Sequence, residues 1–134
     1  MNYRRRVLIV DGSKYFNSLI WRTLIPESGF EIVGLARDAD EALDIATTLF
    51  PDIILADVSH SAPSGLAAIE SLHATQPATP IIAFTPLCSR EYTQAALNVG
   101  ASACLAKSEV VDVLLQTISQ LIMARSPAVG PLLS

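Results

Sequence analysis

The chain has 134 residues, with 9 basic and 13 acidic side chains and a formal net charge of −4. Hydrophobic residues make up 51% and charged residues 16%, which excludes general disorder and the basic surface of a nucleic-acid-binding domain. Two cysteines are too few for a disulfide framework and favour a cytoplasmic location. No apolar run reaches the roughly 20 residues of a membrane span.

This length predicts one domain, and a second, DNA-binding domain does not fit if the chain is complete. We expect the domain to cover residues 1–125. Residues 126–134 contain two prolines and a glycine without hydrophobic periodicity, so they are expected to form a flexible tail.

The first predicted elements are a buried strand and an amphipathic helix. The apolar run at residues 7–10 predicts the strand, and Asp11-Gly12 ends it. Ser13 is expected to cap the helix. Its apolar face is expected to comprise Phe16, Leu19, Ile20, Thr23 and Leu24.

A second strand is predicted at residues 31–36, followed by a second helix. Asp38 and Glu41 have the spacing of a capping box, which marks the start of that helix. Residues 53–56 predict a third buried strand that ends at Asp57.

Residues 58–64 contain Ser, His, Ala and Pro and are predicted to be a loop. A third helix is expected to follow, with Leu66, Ile69 and Leu72 on its apolar face. Residues 81–84 predict a fourth strand, which ends at Thr85.

The last third of the chain predicts two helices around a fifth strand. Ser89 is expected to cap the fourth helix and Gly100 to end it. The fifth strand is predicted within residues 101–106, before Lys107, and Ser108 is expected to cap the last helix. That helix is expected to bury Val111, Leu114, Leu115, Ile118, Leu121 and Ile122.

Five strands alternating with five helices predict an α/β fold, a flavodoxin-like doubly wound parallel sheet in the order 2-1-3-4-5 with helices on both faces. In such a sheet the strand ends carrying Asp11, Asp57, Thr85 and Lys107 meet at one edge. Two carboxylates favour a hard cation, and a lysine and a hydroxyl beside them suit a phosphoryl group. The combination is more specific than any of the four residues alone.

The motifs around these residues resemble the receiver domain of bacterial two-component response regulators. They comprise residues 7–11 (VLIVD), residues 51–57 (PDIILAD), Gly65-Leu66, residues 80–85 (PIIAFT) and residues 100–107 (GASACLAK). The resemblance extends over residues 6–122, which is nearly the whole chain.

The resemblance implies a phosphorelay role. Asp57 would accept a phosphoryl group from a sensor histidine kinase or a phosphotransfer protein, Thr85 would be the switch hydroxyl, and Lys107 would balance the phosphate charge. Mg²⁺ would be held by Asp11, Asp57 and the backbone carbonyl of Ser59. The output would reach a protein partner through helix 4, strand 5 and helix 5, without nucleic acid or membrane, and a homodimer is compatible with that surface.

Two of the positions that depart from the family's pattern bear on the metal site and on the switch. The second of two adjacent acids is here Gly12, so we expect weak Mg²⁺ binding. The aromatic residue of strand 5 is here Cys104, which we interpret as a structural thiol and not as a redox sensor.

These departures leave an alternative open, a receiver-like interaction module that works without phosphorylation. Enzyme functions are less consistent with the sequence, and the chain is expected not to be an enzyme. An aspartyl-phosphate phosphatase needs an acid two residues after its nucleophile, where Ser59 stands. A flavodoxin needs a phosphate-binding loop after strand 1, which residues 11–16 do not form.

Overall fold

The computed structural model describes residues 4–10, 12–27, 29–58, 62–86 and 89–124. Within them lies a five-stranded parallel sheet in the order 2-1-3-4-5, as the sequence predicts. The strands are β1 (Arg5–Val10), β2 (Phe30–Ala36), β3 (Ile53–Asp57), β4 (Ile81–Thr85) and β5 (Ala103–Ala106). The helices are α1 (Lys14–Leu24), α2 (Ala39–Leu49), α3 (Ala62–Thr75), α4 (Arg90–Asn98) and α5 (Val110–Ala124).

Each face of the sheet is covered by a separate hydrophobic cluster, because successive strand residues point to opposite faces. Val7 and Ile9 pack with the apolar faces of α1 and α5. Leu8 and Val10 pack with residues of α2, α3 and α4. Both faces are therefore buried, which explains why the inner strands are continuous apolar runs and do not alternate.

The predicted helix starts are confirmed at α1, α2 and α4. Ser13 Oγ accepts from the Phe16 amide at 3.1 Å, and Ser89 Oγ accepts from the Tyr92 amide at the same distance. Asp38 Oδ1 accepts from the Glu41 amide at 2.9 Å. Each bond satisfies a first-turn N–H that has no partner within the helix.

The start of α3 differs from the prediction. Residues 58–64 were expected to form a loop, but the helix already begins at Ala62. Proline and serine are tolerated here because the first-turn amides of a helix lack intrahelical acceptors. Further along α3, the predicted Ile69 and Leu72 are buried.

The start of α5 also differs. Ser108 does not cap that helix, since it is the central residue of a 3₁₀ turn at Lys107–Glu109. The Glu109 carboxylate accepts from the Ala106 amide at 2.8 Å, which stabilises this turn. The buried face of α5 consequently begins at Val110, and Val111, predicted to be buried, is 63% exposed.

Two glycines allow close approaches, one at the carboxyl ends of the strands and one at their amino ends. A Cβ on Gly65 would lie 2.8 Å from Val58 Cα, so only glycine lets α3 pack against the end of β3. Gly100 has a φ of +120° and follows α4 at the predicted position.

No helix in the described part of the chain is long and apolar enough to cross a membrane. The predicted tail at residues 126–134 lies outside the described residues.

Candidate functional site

The carboxyl ends of three neighbouring strands bring Asp57, Thr85 and Lys107 to one edge of the sheet. Asp57 is in register with Phe84 of β4, so Thr85 follows one residue beyond. Thr85 is in register with Ala106 of β5, so Lys107 again follows one residue beyond. The parallel register thus assembles three of the predicted site residues, although 28 residues separate the first two in the sequence.

An ion pair joins two of these residues. Lys107 Nζ lies 2.8 Å from Asp57 Oδ2, with the Asp57 side chain fully buried and that of Lys107 26% exposed. A charge-assisted contact of this length is strong, and it compensates for the desolvation of the carboxylate. The 3₁₀ turn that begins at Lys107 places the ammonium over the sheet edge.

Phe16 of α1 forms one wall of the site, a role that the sequence did not reveal. Lys107 Nζ lies 5.4 Å from the centroid of the Phe16 ring, within cation–π range. The same ring meets Phe84 edge-on, with centroids 5.0 Å apart and an interplanar angle of 64°. In the sequence, Phe16 is only an apolar residue at helical spacing, and every core residue of α1 shares that pattern.

Thr85 is fully buried, and its hydroxyl hydrogen-bonds to the Cys104 thiol. Because Cys104 is in register with Ala83, Thr85 and Cys104 point to the same face of the sheet. The thiol also hydrogen-bonds to Thr93 of α4. Burial raises the pKa of the thiol, the charge of Glu109 raises it further, and the two threonine bonds lower it.

A cleft of about 440 Å³ opens beside Asp57, between the start of α2 and α3. Small residues of α3, Gly65, Ala67 and Ala68, line one side. Arg37 and Asp38, which follow β2, line the other. Asp57 itself lines this cleft, and Lys107 is not among the described residues that line it.

Two of the expected Mg²⁺ ligands, Asp11 and the Ser59 carbonyl, lie outside the described residues. In the part of the chain that the structure covers, no three His, Cys, Asp or Glu side chains cluster as a metal site. Asp57, the third expected ligand, is the last residue of β3, and its Oδ2 atom contacts Lys107 Nζ. Near Gly12, the Asn17 Oδ1 atom is buried with no hydrogen-bond partner among the described residues. Carboxylate and carboxamide oxygens are donors that a hard cation prefers, so the residues present fit Mg²⁺.

Comparison with known proteins supports the family suggested by the site. The model of the response regulator receiver domain matches residues 7–119. A protein-glutamate methylesterase/protein-glutamine glutaminase of Methanosarcina acetivorans is 37% identical over 106 residues, which is 78% of this chain and 30% of that protein. The chain therefore spans about 30% of the length of the curated relatives it matches.

Solved structures agree. A CheY-like receiver domain protein of Methanospirillum hungatei has a TM-score of 0.79 at 27% identity, covering 91% of this chain and 96% of its own. The response regulator domain of Thermotoga maritima CheB has a TM-score of 0.78 at 26% identity, covering 90% and 97%. With its sheet order and strand-end residues already described, this chain belongs to the response regulator receiver domain family.

Proposed function

We propose that the chain accepts a phosphoryl group on Asp57 from a phospho-histidine of a sensor kinase or phosphotransfer protein. The observation that carries this proposal is the 2.8 Å contact between Lys107 Nζ and the buried Asp57 Oδ2. A carboxylate buried at the end of a strand is costly unless a counter-charge or hydrogen bonds compensate for it. The partly exposed ammonium of Lys107 supplies that counter-charge and would also balance the charge of an incoming phosphate.

The chemistry requires little beyond positioning. The Asp57 carboxylate attacks the phosphorus atom, the phosphorus–nitrogen bond breaks, and its electron pair returns to the imidazole. The product is an acyl phosphate, whose added negative charge Lys107 stabilises. Mg²⁺, when bound beside Asp57, would neutralise charge on the transferring phosphoryl oxygens.

The phosphorylated state would then be sensed by Thr85. A hydroxyl that turns toward the phosphate must give up its hydrogen bond to Cys104, and Cys104 also bonds Thr93 on α4. The family's aromatic ring is absent at this position, so we propose that polar contacts replace its packing. The output surface would be formed by α4, β5 and α5. It would bind a protein partner or a second copy of the chain.

Intact-mass analysis tests this function. Wild-type protein is incubated with a small acyl-phosphate donor and Mg²⁺, next to Asp57→Asn and the control Asp112→Asn on the exposed surface of α5. We expect a single phosphoryl adduct on the wild type and on the control, and none on Asp57→Asn. An absence of adduct at every Mg²⁺ concentration would contradict the proposal.

A phosphorylation-independent interaction module is the second candidate. Two residues favour this candidate. Gly12 replaces an acidic side chain that the family usually has at the metal site, and Cys104 replaces the family's aromatic switch residue. It predicts that Asp57→Ala leaves partner affinity unchanged. A large change in partner affinity upon phosphorylation counts against it.

The activities named for the relatives are not proposed for this chain, because the match covers about 30% of their length. We propose a role in signal reception, not in turnover of a separate substrate. We also propose a cytoplasmic location, since Cys104 carries a free thiol, as is usual in a reducing compartment.

A further inference from the structure

Asn17, near the start of α1, turns a carboxamide oxygen toward the backbone of Gly12. A Cβ atom on Gly12 would overlap Asn17 Oδ1 and would lie 2.9 Å from Phe16 Cδ2. A side chain at position 12 and the present position of the Asn17 carboxamide therefore exclude each other. The space released by Gly12 is used by Asn17.

The oxygen in that space has no assigned role within the described residues. Asn17 Nδ2 donates to the Gly12 carbonyl at 3.3 Å, so Oδ1 is the free acceptor of the carboxamide beside Gly12. Oδ1 is buried and accepts no hydrogen bond there. A buried acceptor without a partner destabilises a fold, so its retention calls for an explanation such as an ion or ordered water.

The position of this oxygen relates it to Asp57. Val10 is in register with Ala56 on the neighbouring strand, so Gly12, which follows β1, lies at the same edge of the sheet as Asp57, the last residue of β3. Phe16 Cδ2 would lie 2.9 Å from a Cβ on Gly12, and the centroid of the same ring lies 5.4 Å from Nζ of Lys107, the ion-pair partner of Asp57.

We propose that Asn17 Oδ1 serves as an oxygen ligand, direct or through one water, for the divalent cation beside Asp57, in place of the acid that position 12 lacks. This inference rests on the proposed function, in which such a cation would assist phosphoryl transfer to Asp57. A neutral carboxamide contributes one hard oxygen without a charge, which gives a weaker site than a carboxylate would.

A second carboxamide in the chain provides a matched control. Gln76 Nε2 donates to the Ala46 carbonyl at 2.7 Å, and its Oε1 is likewise buried without a partner in the described structure. Gln76 lies between α3 and β4, at the opposite end of the sheet from Asp57. Loss of either carboxamide affects packing, but only Asn17 is placed to affect the cation.

The test is calorimetric titration of the 134-residue chain with Mg²⁺, without any phosphoryl donor. Asn17→Leu keeps the branching of the side chain at Cγ and removes the oxygen, and Asn17→Ala, which is smaller, is the second variant. We expect each to weaken Mg²⁺ binding by roughly tenfold, the lower end of what loss of a metal-supporting group costs. Asn17→Asp, which adds a charge, is expected to tighten it, and Gln76→Ala to leave it unchanged.

A double-mutant comparison checks the exclusion between the two positions. In the Gly12→Asp background the new side chain displaces the carboxamide, so Asn17→Leu is expected to change Mg²⁺ affinity by less than about twofold. Equal effects of Asn17→Leu in both backgrounds would overturn the inference.

The remaining outcomes separate this inference from the function on which it rests. Unchanged Mg²⁺ affinity in both Asn17→Leu and Asn17→Ala, with Asp57 still phosphorylated in the wild type, would overturn the role of Asn17 alone. Normal Mg²⁺ binding that responds to Asn17 substitutions, without any phosphoryl adduct, would overturn the function alone. Wild-type protein that binds no Mg²⁺ would overturn the inference, and the adduct test would then decide the function separately.

Discussion

The ammonium of Lys107 lies 5.4 Å from the centroid of the Phe16 ring. Lys107 follows β5 and Phe16 belongs to α1, two elements that are distant in the sequence. The ring supports the lysine on one side while Asp57 holds it on the other. The geometry of the site therefore depends on the packing of α1 as well as on the strand ends.

Phe16→Leu is expected to destabilise the protein by about 1–3 kcal/mol, because it removes both the cation–π contact with Lys107 and the edge-on contact with Phe84. Urea unfolding monitored by circular dichroism measures this change. Trp21→Leu, on the half-exposed face of the same helix, serves as the control and should change stability by less than about 0.5 kcal/mol. Equal losses from both substitutions would argue against a special role for the Phe16 ring.

Lys107→Met should destabilise the folded state by about 1–3 kcal/mol, because a buried carboxylate loses its counter-charge. The lysine is partly exposed, so solvent screens the pair and the lower part of this range applies. Adding Asp57→Asn in the same background should recover part of the loss, since a carboxamide needs no counter-charge. Additive losses in the double variant, measured by urea unfolding, would show that the two side chains do not interact.

Gly100→Ala is expected to cost about 1–3 kcal/mol. The backbone there has a φ of +120°, and a Cβ atom would lie 2.6 Å from His73 Cβ. Gly29→Ala is the matched control, because nothing lies within 4 Å of a Cβ at that position. Thermal unfolding should show a lower Tm for Gly100→Ala and little change for Gly29→Ala, and the reverse order would contradict the account.

The thiol of Cys104 should react slowly with iodoacetamide at neutral pH. Burial, followed by the Glu109 charge, raises its pKa above the ordinary value, so the thiolate fraction is small. The alkylation rate at Cys104 is followed by peptide mapping. It should still increase at pH values where the rate of an unfolded thiol has levelled off, because the unfolded thiol is already fully ionised there. A rate equal to that of the denatured protein at every pH would rule out this environment.

The same shift affects stability with a defined sign. Because the folded pKa of Cys104 is above the unfolded one, its contribution is fully present below about pH 8.5 and is lost as the pH rises through the folded pKa. Cys104→Ser removes the thiol from this range of titration. The unfolding free energy of the Cys104→Ser variant should therefore fall less between neutral and alkaline pH than that of the wild type.

The sequence was sufficient to predict the sheet order and the meeting of Asp57, Thr85 and Lys107. Both follow from short apolar runs and from the fixed geometry of parallel crossovers. These features depend on local patterns that tertiary structure seldom overrides.

Three features could not be read from the sequence, and each depends on a contact between distant or competing groups. The start of α5 was misplaced because Glu109, and not Ser108, satisfies the amide at the turn, and this moved Val111 out of the core. Phe16 can be recognised as a wall of the site only when the position of Lys107 is known. The carboxamide of Asn17 becomes notable only once the overlap with a side chain at Gly12 is known, although a polar residue five positions after that glycine was a visible signal.

The central claim is that Asp57 is the residue that carries the phosphoryl group. Reduction with borohydride converts an aspartyl phosphate to homoserine, and fragmentation of the proteolytic peptides then locates the converted residue. The account predicts conversion at Asp57 alone, dependent on the phosphoryl donor and absent from Asp57→Asn. Conversion at Asp52 or at another carboxylate of the chain, or no conversion at all with Mg²⁺ present, would contradict it.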